Sequence, residues 1–119
     1  MQDIHPIYHN TFGFAFQWKR NSVKDIMKVQ IVFRDTGLLL SKEELHQFSK
    51  NIKYTKDNST LCKDCTNNDS CKALLVDSPA KQITFAMNAK ELAAVEDLVE
   101  GTLFQMNLDN FLGGLCSGD

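Results

Sequence analysis

Leu40-Ser41-Lys42-Glu43-Glu44-Leu45-His46-Gln47-Phe48 and Met87-Asn88-Ala89-Lys90-Glu91-Leu92-Ala93-Ala94-Val95 are the two stretches on which the fold of this chain turns. Each places a short polar residue, Ser41 or Asn88, three positions ahead of a glutamate, Glu44 or Glu91. That is a capping box: the cap side chain accepts from the N–H of the third helical residue, and the glutamate reaches back to the cap's own N–H. Two helices therefore start here. Apolar residues then recur at helical spacing: Leu45, Phe48 and Ile52 after the first cap, and Leu92, Val95, Val99, Leu103 and Met106 after the second. The first helix is expected to fade near Lys53, and Gly113-Gly114 to stop the second.

Strand patterns precede both helices. Phe12, Phe14, Phe16 and Trp18 alternate with Gly13, Ala15 and Gln17, the period-2 signature of a strand with one buried face. Met27, Val29, Ile31 and Phe33 repeat it, and Asp35-Thr36-Gly37 reads as the turn into Leu38-Leu39-Leu40, a meander of three strands. Before the second helix, Ala73-Leu74-Leu75-Val76 and Ile83, Phe85 and Met87 read as a hairpin about Asp77-Ser78-Pro79-Ala80. The caps and the first core positions of the two helices keep one register at an offset of 47 residues. The reading is an α+β single domain spanning 1–119: a duplicated strand–strand–helix unit, with approximate repeats 11–53 and 73–108 and a cysteine loop at 54–72 between them. Its strands are expected to join one antiparallel sheet of about five, with both helices on one face. The aromatic row is assigned to the core. Its alternative, a stacking platform for bases or sugars, lacks interleaved basic residues on the same face.

The succession of a Phe-rich strand, a short strand ending at Leu38-Leu39-Leu40, and Ser41-x-x-Glu44-Leu45-x-x-Phe48 is similar to small uncharacterised proteins common in Bacteroidetes. The resemblance covers about residues 9–108 and implies a fold of this type and no established activity. The cysteine-bearing stretch does not map onto it.

The 119 residues are 43% hydrophobic and 24% charged, with six Gly and two Pro, an ordinary globular composition. Thirteen basic against fifteen acidic residues exclude a strongly basic polymer binder. The opening Met1-Gln2-Asp3-Ile4-His5-Pro6 lacks the apolar run of a secretory signal, and no stretch approaches a membrane span. The expectation is a cytoplasmic chain with reduced thiols and no membrane or nucleic-acid partner.

Cys62, Cys65 and Cys71 fall at C-x2-C-x5-C in a polar, turn-prone stretch. A two-residue gap lets two thiolates converge on one ion, and a third returns after a loop. Zinc takes four such ligands, and Cys116, after Gly113-Gly114-Leu115, is the candidate fourth, with His5, His9 and His46 as substitutes. A structural zinc site is the chosen reading. Unliganded thiols, disulfides and an iron–sulfur centre are the others. A redox Cys62-x-x-Cys65 pair lacks the following helix that would lower its thiol pKa.

No phosphate loop or nucleophile elbow is present, and the paired histidines of His5-Pro6-Ile7-Tyr8-His9 share a metal only if that segment is helical. Residues 1–72 carry 11 basic and 8 acidic groups, and residues 73–119 carry 2 and 7. That split reads as a solvated acidic helix face, or as a surface for a protein partner or head-to-tail self-association. The functional expectation is a small non-catalytic protein with a structural zinc and a protein-interaction role. The alternatives are a thiol redox or metal-delivery protein, and a self-associating domain without metal.

Overall fold

The computed structural model describes residues 3–20, 23–24, 28–58, 74–80 and 82–116, with the side chains of 3, 20, 23, 24 and 109–116 not described. The strands are β1 (Asp3–His9), β2 (Gly13–Arg20), β3 (Val23–Lys24), β4 (Lys28–Phe33), β5 (Thr36–Ser41), β6 (Leu74–Asp77) and β7 (Thr84–Met87). The helices are α1 (Lys42–Asn58) and α2 (Ala89–Cys116). The chain is α+β, as the sequence predicts.

Both capping boxes form. The Glu44 N–H donates to Ser41 Oγ at 3.1 Å and the Ser41 N–H to Glu44 Oε1 at 2.9 Å. The Glu91 N–H donates to Asn88 Oδ1 at 2.7 Å and the Asn88 N–H to Glu91 Oε1 at 3.1 Å. Leu45, Phe48 and Ile52 are buried, as are Leu92, Val95 and Val99. Both helices run past their expected ends. α1 continues to Asn58, taking the first residues of the expected cysteine loop, and α2 passes through Gly113-Gly114 to Cys116.

The sheet departs from expectation. β1, β2, β4 and β5 pair antiparallel in that order, with the two-residue β3 attached to β2, while β6 and β7 form a separate two-stranded sheet. The strands of the two units therefore do not merge into one sheet of five. The physical reason is visible at the hairpin's edges. Asn51 Nδ2 and Thr55 Oγ1, both on α1, donate to the Asp77 and Leu75 carbonyls of β6 at 2.8 and 3.0 Å. Arg34 Nη2 donates to the Ala86 carbonyl of β7 at 2.9 Å. Side chains thus occupy edge carbonyls that another strand would need. β1 is a further strand where the sequence reading saw none.

Register decides which face of β2 is buried. In β4 one phase is fully apolar: Val29, Ile31 and Phe33 are buried, and Lys28, Gln30 and Val32 alternate with them. β2 pairs with β4 through Gly13–Phe33, Phe14–Val32, Ala15–Ile31 and Phe16–Gln30. Paired residues share a face, so Gly13, Ala15 and Gln17 point inward with Ile31 and Phe33. A Cβ on Gly13 would stand 2.5 Å from the Val32 carbonyl oxygen and 2.8 Å from Leu98 Cδ2, so α2 lies close over this small-residue track. The aromatic row assigned to the core from sequence lies mostly on the opposite face. Phe12 is its exception: the Asn10 side chain accepts from the Phe12 and Gly13 N–H groups and turns the chain, and the Phe12 ring stacks on Phe33 at 5.5 Å.

The inner face meets both helices and the β6–β7 hairpin in one cluster. At its centre the Phe33 ring lies 6.4 Å from Phe48 and 5.1 Å from Phe85, joining β4, α1 and β7.

Candidate functional site

The face of the four-stranded sheet turned away from the helices carries an aromatic row. His9 stacks on Phe14 with centroids 6.3 Å apart, Phe14 lies 5.3 Å from Phe16, and Phe16 meets Trp18 edge-on at 5.1 Å. The row crosses from β1 along β2, and the indole N–H of Trp18 donates to Gln30 Oε1 at 3.4 Å on the same face. Around it lie Ile4 at 39%, Val32 at 38% and Leu39 at 45% exposure. The partner registers confirm the face: Ile4 opposes Trp18, Pro6 opposes Phe16, and Leu39 opposes Gln30. Among the described side chains here, Lys28 carries the one fixed charge. The rings cover one another, so Phe16 is buried and Phe14 and Trp18 are half-buried. The surface is an apolar shelf with Lys28 beside it.

Polar groups gather instead at the seam between α2 and its neighbours. Arg34, at the head of the β4–β5 turn with φ of 53°, pairs with Glu91 at 2.8 Å. Lys56 pairs with Glu96 at 3.2 Å and Lys53 with Glu100 at 3.4 Å. Ser49 donates to Glu100 as well. The Tyr8 hydroxyl donates to the Asp97 carboxylate at 3.0 Å, and Asn10 Nδ2 donates to the same group at 2.8 Å. That bond holds the Tyr8 phenol above its ordinary range, because the carboxylate favours the protonated hydroxyl; burial and the Asp97 charge act in the same direction. The Tyr8 ring lies over Gly101, where a Cβ would strike the ring carbons. Glu91, Glu96 and Glu100 of the second half therefore face Arg34, Lys56 and Lys53 of the first within one molecule. Part of the sequence's charge split is met in this internal seam, with each pair too exposed to contribute much stability.

Cys62, Cys65 and Cys71 lie outside the described residues, as does the Cys116 side chain. The α2 backbone is helical across Gly113-Gly114 as far as Cys116, so the tail does not bend back at the glycines. Among the described residues no three His, Cys, Asp or Glu side chains gather as a metal site. His5 and His9 lie on a strand, where four residues span about 13 Å. They also face opposite sides, His5 beside Gln17 and His9 beside Phe14, because the register shifts between Pro6 and Tyr8. They do not form the four-apart helical pair. His46 is exposed on α1. Among the described residues no helix is long and apolar enough to cross a membrane.

The aromatic shelf is the feature that sequence reasoning assigned to the wrong side. The signal that locates it is the pairing with β4, whose single apolar phase forces the choice. No family model, curated protein or solved structure matches this chain, and the resemblance to the Bacteroidetes proteins gains no support from these comparisons.

Proposed function

We propose that this chain is a small non-catalytic interaction module that receives an apolar segment of a protein partner on the outer face of the four-stranded sheet. The observation that carries the reading is the row His9, Phe14, Phe16 and Trp18, extended by Ile4, Val32 and Leu39, on a face that neither helix covers. Aromatic side chains supply large contact area at little entropy cost, which suits them to binding surfaces. Among the described side chains Lys28 is the one fixed charge on this face, fewer than the several cations that track a phosphate backbone, which favours a protein partner over nucleic acid. Glu91, Glu96, Asp97 and Glu100 of α2 are engaged at the seam, which favours binding over acid–base chemistry.

A structural zinc held by Cys62, Cys65, Cys71 and Cys116 remains part of the proposal and rests on the spacing in the sequence. Likewise, the two matching capping boxes favour descent from a duplicated helix-opening unit. Purified under reducing conditions, the protein should carry about one zinc per chain, and Cys116→Ser should lower that occupancy. Metal-free protein of unchanged stability in chelator would remove zinc from the reading.

The shelf is tested with 1-anilinonaphthalene-8-sulfonate, a probe of exposed apolar surface, read with Trp18 emission. The folded chain should bind it, and a Phe14→Ser, Val32→Ser variant should bind several-fold more weakly while its circular dichroism shows the fold retained. No binding by the parent chain, or equal binding by the variant, overturns the assignment.

A further inference from the structure

The four-stranded sheet ends in two edges, β1 and β5, and they differ. β1 carries Pro6 and a register shift between Pro6 and Tyr8, devices by which an edge discourages further pairing. β5, Thr36-Gly37-Leu38-Leu39-Leu40-Ser41, has no charge and no proline, and it pairs with β4 through six consecutive residues without a shift.

The tight β4–β5 turn closes at Phe33–Thr36, so the hydrogen-bonded pairs are Phe33–Thr36, Ile31–Leu38 and Val29–Leu40. The N–H and C=O groups of Gly37, Leu39 and Ser41 therefore point away from the sheet. The Ser41 N–H is taken by Glu44. Gly37 and Leu39 are exposed, and among the described residues nothing bonds their outward groups.

We infer that β5 pairs antiparallel with β5 of a second copy about a two-fold axis at Leu38, joining two sheets into one. In that register Gly37 of each copy exchanges hydrogen bonds with Leu39 of the other, four bonds in all by the antiparallel pattern. The side chains match. Leu39, exposed at 45%, enters the space left by the partner copy's glycine, beside Val32, itself exposed at 38%. A Cβ on Gly37 would lie 3.9 Å from Val32 Cγ2 and 3.0 Å from Gln30 Nε2, so the seat is bordered by the end of the flexible Gln30 side chain, which must swing aside to admit Leu39.

Charge agrees as well. A two-fold axis sets like against like, and an uncharged strand meets itself without repulsion. At each end Asp35 falls opposite Ser41 of the other copy, one residue from its Lys42. The inference goes beyond the shelf reading: it rests on the backbone of β5 rather than on the aromatic row. Its consequence for that reading is that two shelves become one continuous face.

Sedimentation velocity on the full chain, from micromolar up to on the order of 0.1 mM, suits so small an interface. The expected result is passage from the 13.5 kDa chain to a species of twice that mass. Leu39→Lys, an exposed substitution, should abolish the dimer while circular dichroism stays unchanged. The Gly37 and Leu39 amides should exchange more slowly as concentration rises. Phe14→Ser should leave the dimer intact even if it abolishes dye binding, which separates this inference from the shelf. A parent chain that stays monomeric overturns it. So does a dimer that survives Leu39→Lys, or one lost with Phe14→Ser.

Discussion

Phe14 and Phe33 are both strand phenylalanines in alternating patterns, and the structure assigns them opposite roles. Phe33 is 1% exposed and meets the rings of Phe12, Phe48 and Phe85 at 5.5, 6.4 and 5.1 Å. Truncating it removes a buried side chain and leaves a cavity among elements that cannot all close on it, so Phe33→Ala should cost about 3–5 kcal/mol. Phe14 is half-buried and its ring contacts are His9 at 6.3 Å and Phe16 at 5.3 Å. No cavity forms on an open face, and the loss there is one or two ring contacts at about 0.5–1.5 kcal/mol each. Phe14→Ala should therefore cost roughly 1–2 kcal/mol. With a urea slope of about 1.5 kcal/mol per molar, the unfolding midpoint falls by roughly 2–3 M for Phe33→Ala and by about 1 M for Phe14→Ala. Equilibrium urea unfolding followed by circular dichroism measures both on one scale. Equal midpoints, or a larger loss at Phe14, would refute the inward phase of Gly13 and Ala15 and return the aromatic row to the core.

The remaining predictions concern the helices. Ser41→Ala should destabilise by about 1 kcal/mol through loss of the α1 cap, measured by the same urea titration. Glu44 is held below its ordinary value of 4.5, chiefly by the Ser41 N–H it accepts. Its contribution is thus complete above that value and fades as pH falls through the lower folded value, and Glu44→Gln should flatten the stability profile in that acid window. Tyr8, held above 10.0 by Asp97, has the opposite sign. Its contribution is present below that pH and lost as pH rises through the higher folded value, so Asp97→Asn should bring tyrosinate absorbance to lower pH. Gly101→Ala gains about 1 kcal/mol of helix propensity yet expels the Tyr8 ring from α2. A net loss of stability in thermal unfolding is the expected sum, and a net gain would show that the ring is not seated there.

Helix starts were legible because a capping box is local: four residues contain both hydrogen bonds, and both boxes form as their spacing predicts. The faces of β2 were not legible because periodicity states that two faces exist and leaves open which is covered. Hydrophobicity favours Phe14, Phe16 and Trp18, whereas packing α2 closely against the strand requires the small Gly13 and Ala15. The sequence of β4 contained the answer through Lys28 and Gln30, but only once the β2–β4 register is known. The join between the units was hidden for a related reason. That β6 and β7 stand apart depends on side chains of Asn51, Thr55 and Arg34 reaching carbonyls distant in sequence. The ends of the helices were misplaced because Lys53 and Gly113-Gly114 are weak stops, glycine costing only about 1 kcal/mol per position in a helix.

The charge split shows how a sequence-level asymmetry loses its functional meaning once the chain is folded. Basic residues of the first part and acidic residues of the second read as a solvated helix face or as a surface for a partner. In the fold they seek each other: Arg34 with Glu91, Lys56 with Glu96, and Lys53 with Glu100. The proposed docking face is what the described residues leave after those pairings. Among the described residues the paired charges line a seam, the large apolar residues Phe33, Phe48 and Phe85 fill the core, and the outer sheet face retains aromatic area that no helix covers. Such a face costs solubility wherever it meets water. Placing Lys28 and Gln30 beside the row limits that cost without covering the rings, as a surface for an apolar partner requires.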